Sequence, residues 1–272
     1  MIKNQRSLRK SSVHIVLYFH GGEKVIERQI EEEIDRVERE YSFDLPEREI
    51  SREEVAMAIE HTNLKAFAVP ENIEKLVSEA LEHEFYGVCV NPSYVPMVKE
   101  MVKDKKLKVI TVVGFPLGAT STEAKVSEAI WAVKNGADEI DMVLHVGMLK
   151  AQNWKYVYED IKAVVEASKV PVKVIIETAY LTKEEKIAAC VISRIAGAEF
   201  VKTSTGFAPS GASPEDVHLM KFVVGENMGV KAAGGIRTAL DAAYLILHGA
   251  DVIGTSKGVK IVEEAEKLLN LR

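Results

Sequence analysis

From Val55 onward the chain repeats one pattern: a short apolar run, a turn, then a segment with helical spacing of its apolar residues. The runs are Val55 to Leu64, Tyr86 to Val90, Leu107 to Val113, Glu139 to Leu144, Val172 to Ile176, Phe200 to Thr203, Gly229 to Ala233 and Asp251 to Gly254. Helical patterns near 71–83, 93–104, 121–135, 153–168, 182–196, 214–226, 238–248 and 258–269 follow them in alternation. Three helix-to-strand turns share one form, Gly136-Ala137-Asp138, Gly197-Ala198-Glu199 and Gly249-Ala250-Asp251. A glycine there suits a left-handed residue after a helix, because it has no Cβ to clash. Eight strand–helix units in a chain of 272 residues predict an α/β fold, a single (β/α)8 TIM barrel. A doubly wound open sheet fits less well, since it usually has fewer strands and no dinucleotide fingerprint follows the first run.

The first fifty residues differ. Ile26, Ile30, Ile34 and Val37 recur at helical spacing within a highly charged stretch, and Pro46 follows as a break. We expect an extension over 1–50 with an amphipathic helix laid against a larger body or a partner subunit, and a catalytic barrel over 51–272. Self-association into a homo-oligomer, a dimer or tetramer, is consistent with that stripe.

A net charge of −6 argues against nucleic acid or an anionic membrane as the main partner. No run approaches the roughly 18 apolar residues of a membrane span. The start, Met1 to Lys10, is basic, but the apolar stretch Val13 to Phe19 contains His14 and lacks a small-residue cleavage site, so a secretory signal is not expected. Two cysteines, Cys89 and Cys190, form no metal-binding spacing. A cytoplasmic location and no metal are the expectations. Scarce Gln beside abundant Glu and Lys hints at a thermophile.

Lysines that close buried strands are unusual, because an ammonium resists leaving water. Lys202 ends one apolar run and Lys231 lies in the next, each followed by glycine. Two such cations crowded together repel, so one can lose its proton near neutral pH and become a nucleophilic amine. In a barrel, reactive residues gather at the C-terminal strand ends. On the fourth run Ile140, Met142 and Leu144 suit the helix layer, while Asp141, Val143 and His145 point inward. Asp141 is then the natural partner of both lysines, either in chemistry or as a purely structural ion pair. Lys173 and Glu177 share a face of the fifth run and form a candidate structural pair. Thr205-Gly206, Gly234-Gly235 and Gly254-Thr255-Ser256 lie at the upper rim on consecutive late strands, with Arg237 and Lys257 close by. Turn glycines are ordinary one at a time, but three together there predict a phosphate cradle. Cys89 ends a strand near this region, and a buried inert thiol is its simplest reading.

The segments His61-Thr62-Asn63-Leu64-Lys65, Gly114-Phe115-Pro116-Leu117-Gly118, Glu139-Ile140-Asp141-Met142-Val143, Lys202-Thr203-Ser204-Thr205-Gly206 and Lys231 to Thr238 resemble deoxyribose-phosphate aldolase, in the expected order from about Ile59 to Val262. The resemblance implies a class I aldolase without metal or cofactor. It would reversibly cleave 2-deoxy-D-ribose 5-phosphate to acetaldehyde and D-glyceraldehyde 3-phosphate, a step in deoxyribose phosphate catabolism. By that resemblance Lys202 forms the imine, Lys231 lowers its proton affinity and aids proton transfer, and Asp141 is the acid/base. Thr205, Gly206, Gly234, Gly235, Arg237, Gly254, Ser256 and Lys257 would hold the phosphate, with Glu60, Thr62, His145 and Cys89 as supporting residues. The chain departs from the family pattern at Glu60, where aspartate is frequent, at His145, where asparagine is common, and at Lys257, often serine. Two other readings remain at this stage: a Schiff-base aldolase for another sugar phosphate or a keto acid, and a phosphate-binding barrel whose buried charges are only structural.

Overall fold

The structure, a computed structural model, describes residues 24–44 and 48–269. Met1 to Lys10, Val13 to Phe19 and Pro46 lie outside the described residues. Eight parallel strands close into a barrel in chain order: β1 (Ile59–Asn63), β2 (Gly87–Val90), β3 (Lys108–Val113), β4 (Glu139–Val143), β5 (Val172–Ile175), β6 (Phe200–Lys202), β7 (Gly229–Ala233) and β8 (Val252–Thr255). Ile59 of β1 pairs with Ile253 of β8, so no edge is left open. Helices α1 (residues 24–40) and α2 (Arg52–Ala58) precede the first strand. Around the barrel follow α3 (Pro70–Glu82), α4 (Val95–Met101), α5 (Thr122–Lys134), α6 (Val146–Lys150), α7 (Trp154–Ser168), α8 (Lys183–Ile195), α9 (Pro214–Val224), α10 (Ala239–Leu247) and α11 (Gly258–Leu269).

The recurring turns do more than end helices. Gly136, Gly197 and Gly249 take φ values of 107°, 87° and 104°. The acid two residues on then clasps the preceding strand: Asp138 accepts from Val109 N at 2.9 Å, Glu199 from Val172 N at 2.9 Å and Asp251 from Val230 N at 2.8 Å. Each of these acids also donates its own N–H to the carbonyl of the residue it clasps. This two-way grip leaves those strand starts with paired polar groups and sets the register of neighbouring strands. Ile140, Met142 and Leu144 are fully buried in the layer between sheet and helices, as alternation predicts.

The expected strand from Val55 to Leu64 is half helix. Ser51 accepts from Glu54 N at 3.1 Å while Glu54 reaches back to Ser51 N at 2.9 Å, so a capping box starts α2, and β1 begins only at Ile59. The expected amphipathic helix is α1. Ile26, Ile30 and Val37 are buried and Ile34 is packed against the core. Arg36 donates to Phe222 O at 2.8 Å and Glu33 lies 3.5 Å from Arg194, so α1 is laid across α8 and α9 of its own barrel.

Candidate active site

Alternation on the strands turns a set of charged side chains into the barrel. Register puts Lys202 level with Lys231, and Asp141 level with Lys173. Asp141 Oδ2 accepts from Lys202 Nζ at 2.7 Å and from Lys231 Nζ at 2.6 Å. Lys231 also donates to Glu60 Oε2. Lys173 Nζ donates to Glu139, and lies 3.1 Å from Glu60 Oε1 and 3.5 Å from Asp141 Oδ1 without the alignment of a hydrogen bond. Lys231, Lys173, Asp141 and Glu60 are wholly buried, and Lys202 is 3% exposed.

Burial would raise the Asp141 carboxyl, but Lys202, Lys231 and Lys173 together outweigh it and hold the group well below the usual carboxylate range. Burial likewise acts to lower Lys231, yet Asp141 and Glu60 raise it above an ordinary lysine. Lys173 is raised in the same way, against the effect of burial, by Glu60, Asp141 and Glu139. Lys231 and Lys173 are therefore fixed cations. Lys202 differs from both: it meets one carboxylate, and it alone of the three lines an open cavity.

That cavity, 690 Å³, sits at the C-terminal ends of the strands. All eight residues expected to cradle a phosphate line it: Thr205, Gly206, Gly234, Gly235, Arg237, Gly254, Ser256 and Lys257. Gly206 and Gly235 take left-handed φ values of 85° and 79°, and nothing lies within 4 Å of where a Cβ would stand, so backbone is bared to the cavity there. Two of the eight have another task. Thr205 gives its N–H, at 3.2 Å, and its hydroxyl to Glu177, which holds the loop after β6 in place. A Cβ at Gly254 would come within 3.0 Å of Lys231 Cε, so this glycine makes room for the buried lysine.

Three expectations need correction. Lys173 and Glu177 are not a pair. β5 ends at Ile175 and Glu177 has a φ of 57°, so alternation stops and its carboxylate turns to Thr205, while Lys173 joins the barrel network. His145 does not continue the inward face. β4 ends at Val143, and the imidazole Nδ1 accepts from Met148 N at 3.3 Å as the cap of α6, beside Tyr156. The first run, as noted, begins as helix. Thr62 lines the cavity and donates to Glu60 O at 3.0 Å, within the strand that carries the buried acid. Cys89 is fully buried, and burial pushes its thiol up to about 12. Its sulfur lies within 4.8 Å of ligand atoms of Glu60 and Asp141, but the Lys231 ammonium already serves those two carboxylates as their cation.

Several residues at the site have no role assigned from the sequence, although His61, Asn63, Lys65 and Glu139 lie in the segments that carry the family resemblance. His61, whose Nε2 lies 2.8 Å from Glu79, lines the cavity, as do Asn63, Lys65 and Lys75, on β1 and the segment after it, where β1 adjoins β8. Glu139 stood in a quoted motif without a role; its inward charge at a strand start was a readable signal. Phe207 lines the mouth and meets Phe115 edge-on at 5.3 Å, a contact that no local pattern announces.

Residues 55–265 match the profile of the DeoC/LacD family aldolases. A deoxyribose-phosphate aldolase of Thermotoga petrophila is 61% identical over 244 residues, which cover 89% of this chain and 98% of that protein. Among solved structures, a candidate deoxyribose-phosphate aldolase from Coccidioides immitis superposes with a TM-score of 0.86 at 40% identity, covering 90% of this chain and 98% of that one. The tetrameric deoxyribose phosphate aldolase of Aeropyrum pernix superposes with a TM-score of 0.75 at 32% identity, covering 88% and 97%.

Proposed function

The chain belongs to the DeoC/LacD aldolase family and carries deoxyribose-phosphate aldolase activity, and we propose that it works through an imine on Lys202. One observation carries this reading: of the three lysines in the barrel network, only Lys202 reaches the cavity, and it does so with one carboxylate for two cations. Lys231 and Lys173 stay charged, so the amine that can become neutral is the one substrate can reach.

In the cleavage direction the neutral Nζ of Lys202 adds to the aldehyde carbon of the open-chain sugar phosphate, and loss of water leaves an iminium ion. The hydroxyl on the third carbon gives its proton to the Asp141 carboxylate, the bond between the second and third carbons breaks, and its electron pair flows into the iminium. D-Glyceraldehyde 3-phosphate leaves and an enamine remains. Protonation of the enamine and addition of water release acetaldehyde and the free amine. Asp141 aims Nζ at rest. As the electron pair reaches the iminium, the positive charge on Nζ disappears, one of the cations depressing the carboxyl is gone, and Asp141 becomes a better proton acceptor at that step, within reach of Lys231. The glycine rim, Arg237, Ser256 and Lys257 hold the phosphate so that the reacting carbons meet Lys202.

With this reading go a catalytic barrel over 51–272 behind an extension over 1–50, a cytoplasmic location and a homo-oligomer. Among the described residues no helix is long and apolar enough to cross a membrane, and the Aeropyrum relative is a tetramer. Borohydride reduction in the presence of acetaldehyde, followed by peptide mapping, tests the chemistry. A stable two-carbon adduct on Lys202 is expected; an adduct on another lysine, or none, overturns the proposal. Turnover is expected to survive a chelator.

A further inference from the structure

The charged interior continues below the residues that approach the cavity. Glu139, the first residue of β4, accepts from Lys173 on one side. On the other it accepts from Lys108, the first residue of β3, and from the Tyr86 hydroxyl at 2.7 Å. Lys108 also donates to the Tyr86 oxygen at 2.7 Å, and its Nζ lies 4.3 Å from that ring's centroid. This end of the barrel is opposite the cavity, and the Lys108 side chain is 43% exposed there. An unbroken line of charge contacts thus runs from outer solvent through Glu139, Lys173, Glu60 and Lys231 to Asp141 and Lys202.

The charges along this line have a simple balance. Glu60, Glu139 and Asp141 are matched by Lys108, Lys173 and Lys231, so Lys202 is the cation in excess. Tyr86 adds no charge, since burial pushes its phenol up to about 12. Around Lys202 stand Asp141 from β4 and Lys231 from β7, with Glu60 from β1, Lys173 from β5 and the neutral Cys89 from β2 behind them. Around Glu139 stand Tyr86, Lys108 and Lys173. In a water-poor interior such charges act on one another across several residues.

We propose that Lys108 and Glu139, at the far end of the barrel, are positioning residues that fix the charge balance against which Lys202 gives up its proton. The proposal rests on the reading of Lys202 as the imine lysine. Without Lys108 the interior is left negative whenever Lys202 is neutral, so the amine holds its proton to higher pH. Without the Glu139 charge the opposite follows. A role confined to holding the fold together has no such change of sign.

The test follows imine formation with acetaldehyde, trapped on the Lys202 peptide, from about pH 5 to about pH 10. It compares the parent chain, Lys108→Met, Glu139→Gln and the double variant. The pH midpoint is expected to rise in Lys108→Met by about half to one unit, slowing imine formation about 3- to 10-fold on the acid side. It is expected to fall in Glu139→Gln and to return near the parent value in the double variant. Single variants that shift together or not at all, or a double variant further from the parent than either, overturn the proposal. Should Glu139→Gln fail to fold, Lys108→Met decides by itself, because a half-exposed side chain can be replaced without opening the core. A parent chain with no adduct on Lys202 removes the imine reading and this inference with it. An adduct whose midpoint ignores Lys108 removes only the inference.

Discussion

The two ends of the barrel interior are built from the same residue types and do different things. At the lower end Glu139 is saturated: Lys108, Lys173 and the Tyr86 hydroxyl all point at it. At the upper end Lys231 and Lys202 share one oxygen of Asp141, and beyond Lys202 there is open cavity. Saturated pairing makes inert charge, since a buried ion with its full set of partners gains nothing by changing state. Reactivity arises where pairing is left incomplete beside a space that substrate can enter. The lesson concerns placement more than composition, because lysine and carboxylate occur at both ends.

Removing the reactive amine breaks this contrast most completely. Lys202→Leu is expected to abolish the acetaldehyde adduct and to lower turnover by on the order of 10⁴- to 10⁶-fold, the scale seen when a nucleophile is deleted. Steady-state rates with adduct mapping measure both. Lys231→Leu comes next. It leaves Glu60 and Asp141 short of a cation in a dry interior, and loss of one buried partner costs about 3–5 kcal/mol of stability. It also takes away the neighbouring positive charge, so the Lys202 amine is expected to titrate at higher pH. A parental pH–rate profile in Lys231→Leu would show that like-charge crowding has no part in activating Lys202.

Outside the barrel, between sheet and helices, a third buried lysine site makes a control. Lys125 donates to Asp160 at 2.6 Å and to Val143 O at 3.0 Å, and both side chains are fully buried. Asp160→Ala is expected to cost about 3–5 kcal/mol in denaturant unfolding, by stranding Lys125, while the pH midpoint for imine formation stays put. A moved midpoint would mean that the interior charges are not as separable as their places in the fold suggest.

Linkage sharpens the same comparison. Asp141 and Glu139 are held below their unfolded values, so their contribution is present above about pH 4 and is lost as pH falls through the folded values. Lys173 and Lys231 are held above theirs, so their contribution is complete below about pH 10 and is lost as pH rises through the folded values. The share of these four groups should therefore be flat between these limits, whereas Lys202, if it gives up its proton within them, adds stability that grows as pH rises toward the ordinary lysine value. Melting temperature against pH for Lys202→Leu and for the Lys202→Leu/Lys173→Met double variant measures the four without the titrating amine, and a difference between the two that varies across neutral pH would contradict the signs.

The barrel was legible because its signals are local. Each strand and helix of the barrel spans at most fifteen consecutive residues, and the Gly-Ala-acid turn declares its strand start three times over. The coming together of Lys202, Lys231 and Asp141 was legible too, because inward alternation on neighbouring strands leaves a charge nowhere else to go. Errors came where alternation was carried past the strand. His145 and Glu177 follow β4 and β5 by two residues each, and there the backbone has already turned. The lower cluster was illegible for another reason. Tyr86, Lys108, Glu139 and Lys173 come from four separate segments, and only the side-by-side pairing of β2 to β5, with its register, brings them to one carboxylate.

The smallest expected effect lies at the cavity rim, where pairing is loosest of all. Lys257 is exposed, lines the cavity, and its N–H is held by the Thr255 hydroxyl at 3.0 Å, so the backbone of this turn does not depend on its side chain. A cation in contact with water gains little from a phosphate that water also solvates, which limits its value to roughly 1 kcal/mol or less. Lys257→Ser should then raise KM for the sugar phosphate by about 2- to 5-fold with kcat unchanged, an effect that weakens as salt is added. Such a change would mark Lys257 as a residue that binds ground state and transition state alike. A fall in kcat of the same size would instead place its ammonium against the reacting atoms, and the division between a reactive upper interior and a merely adhesive rim would have to be redrawn.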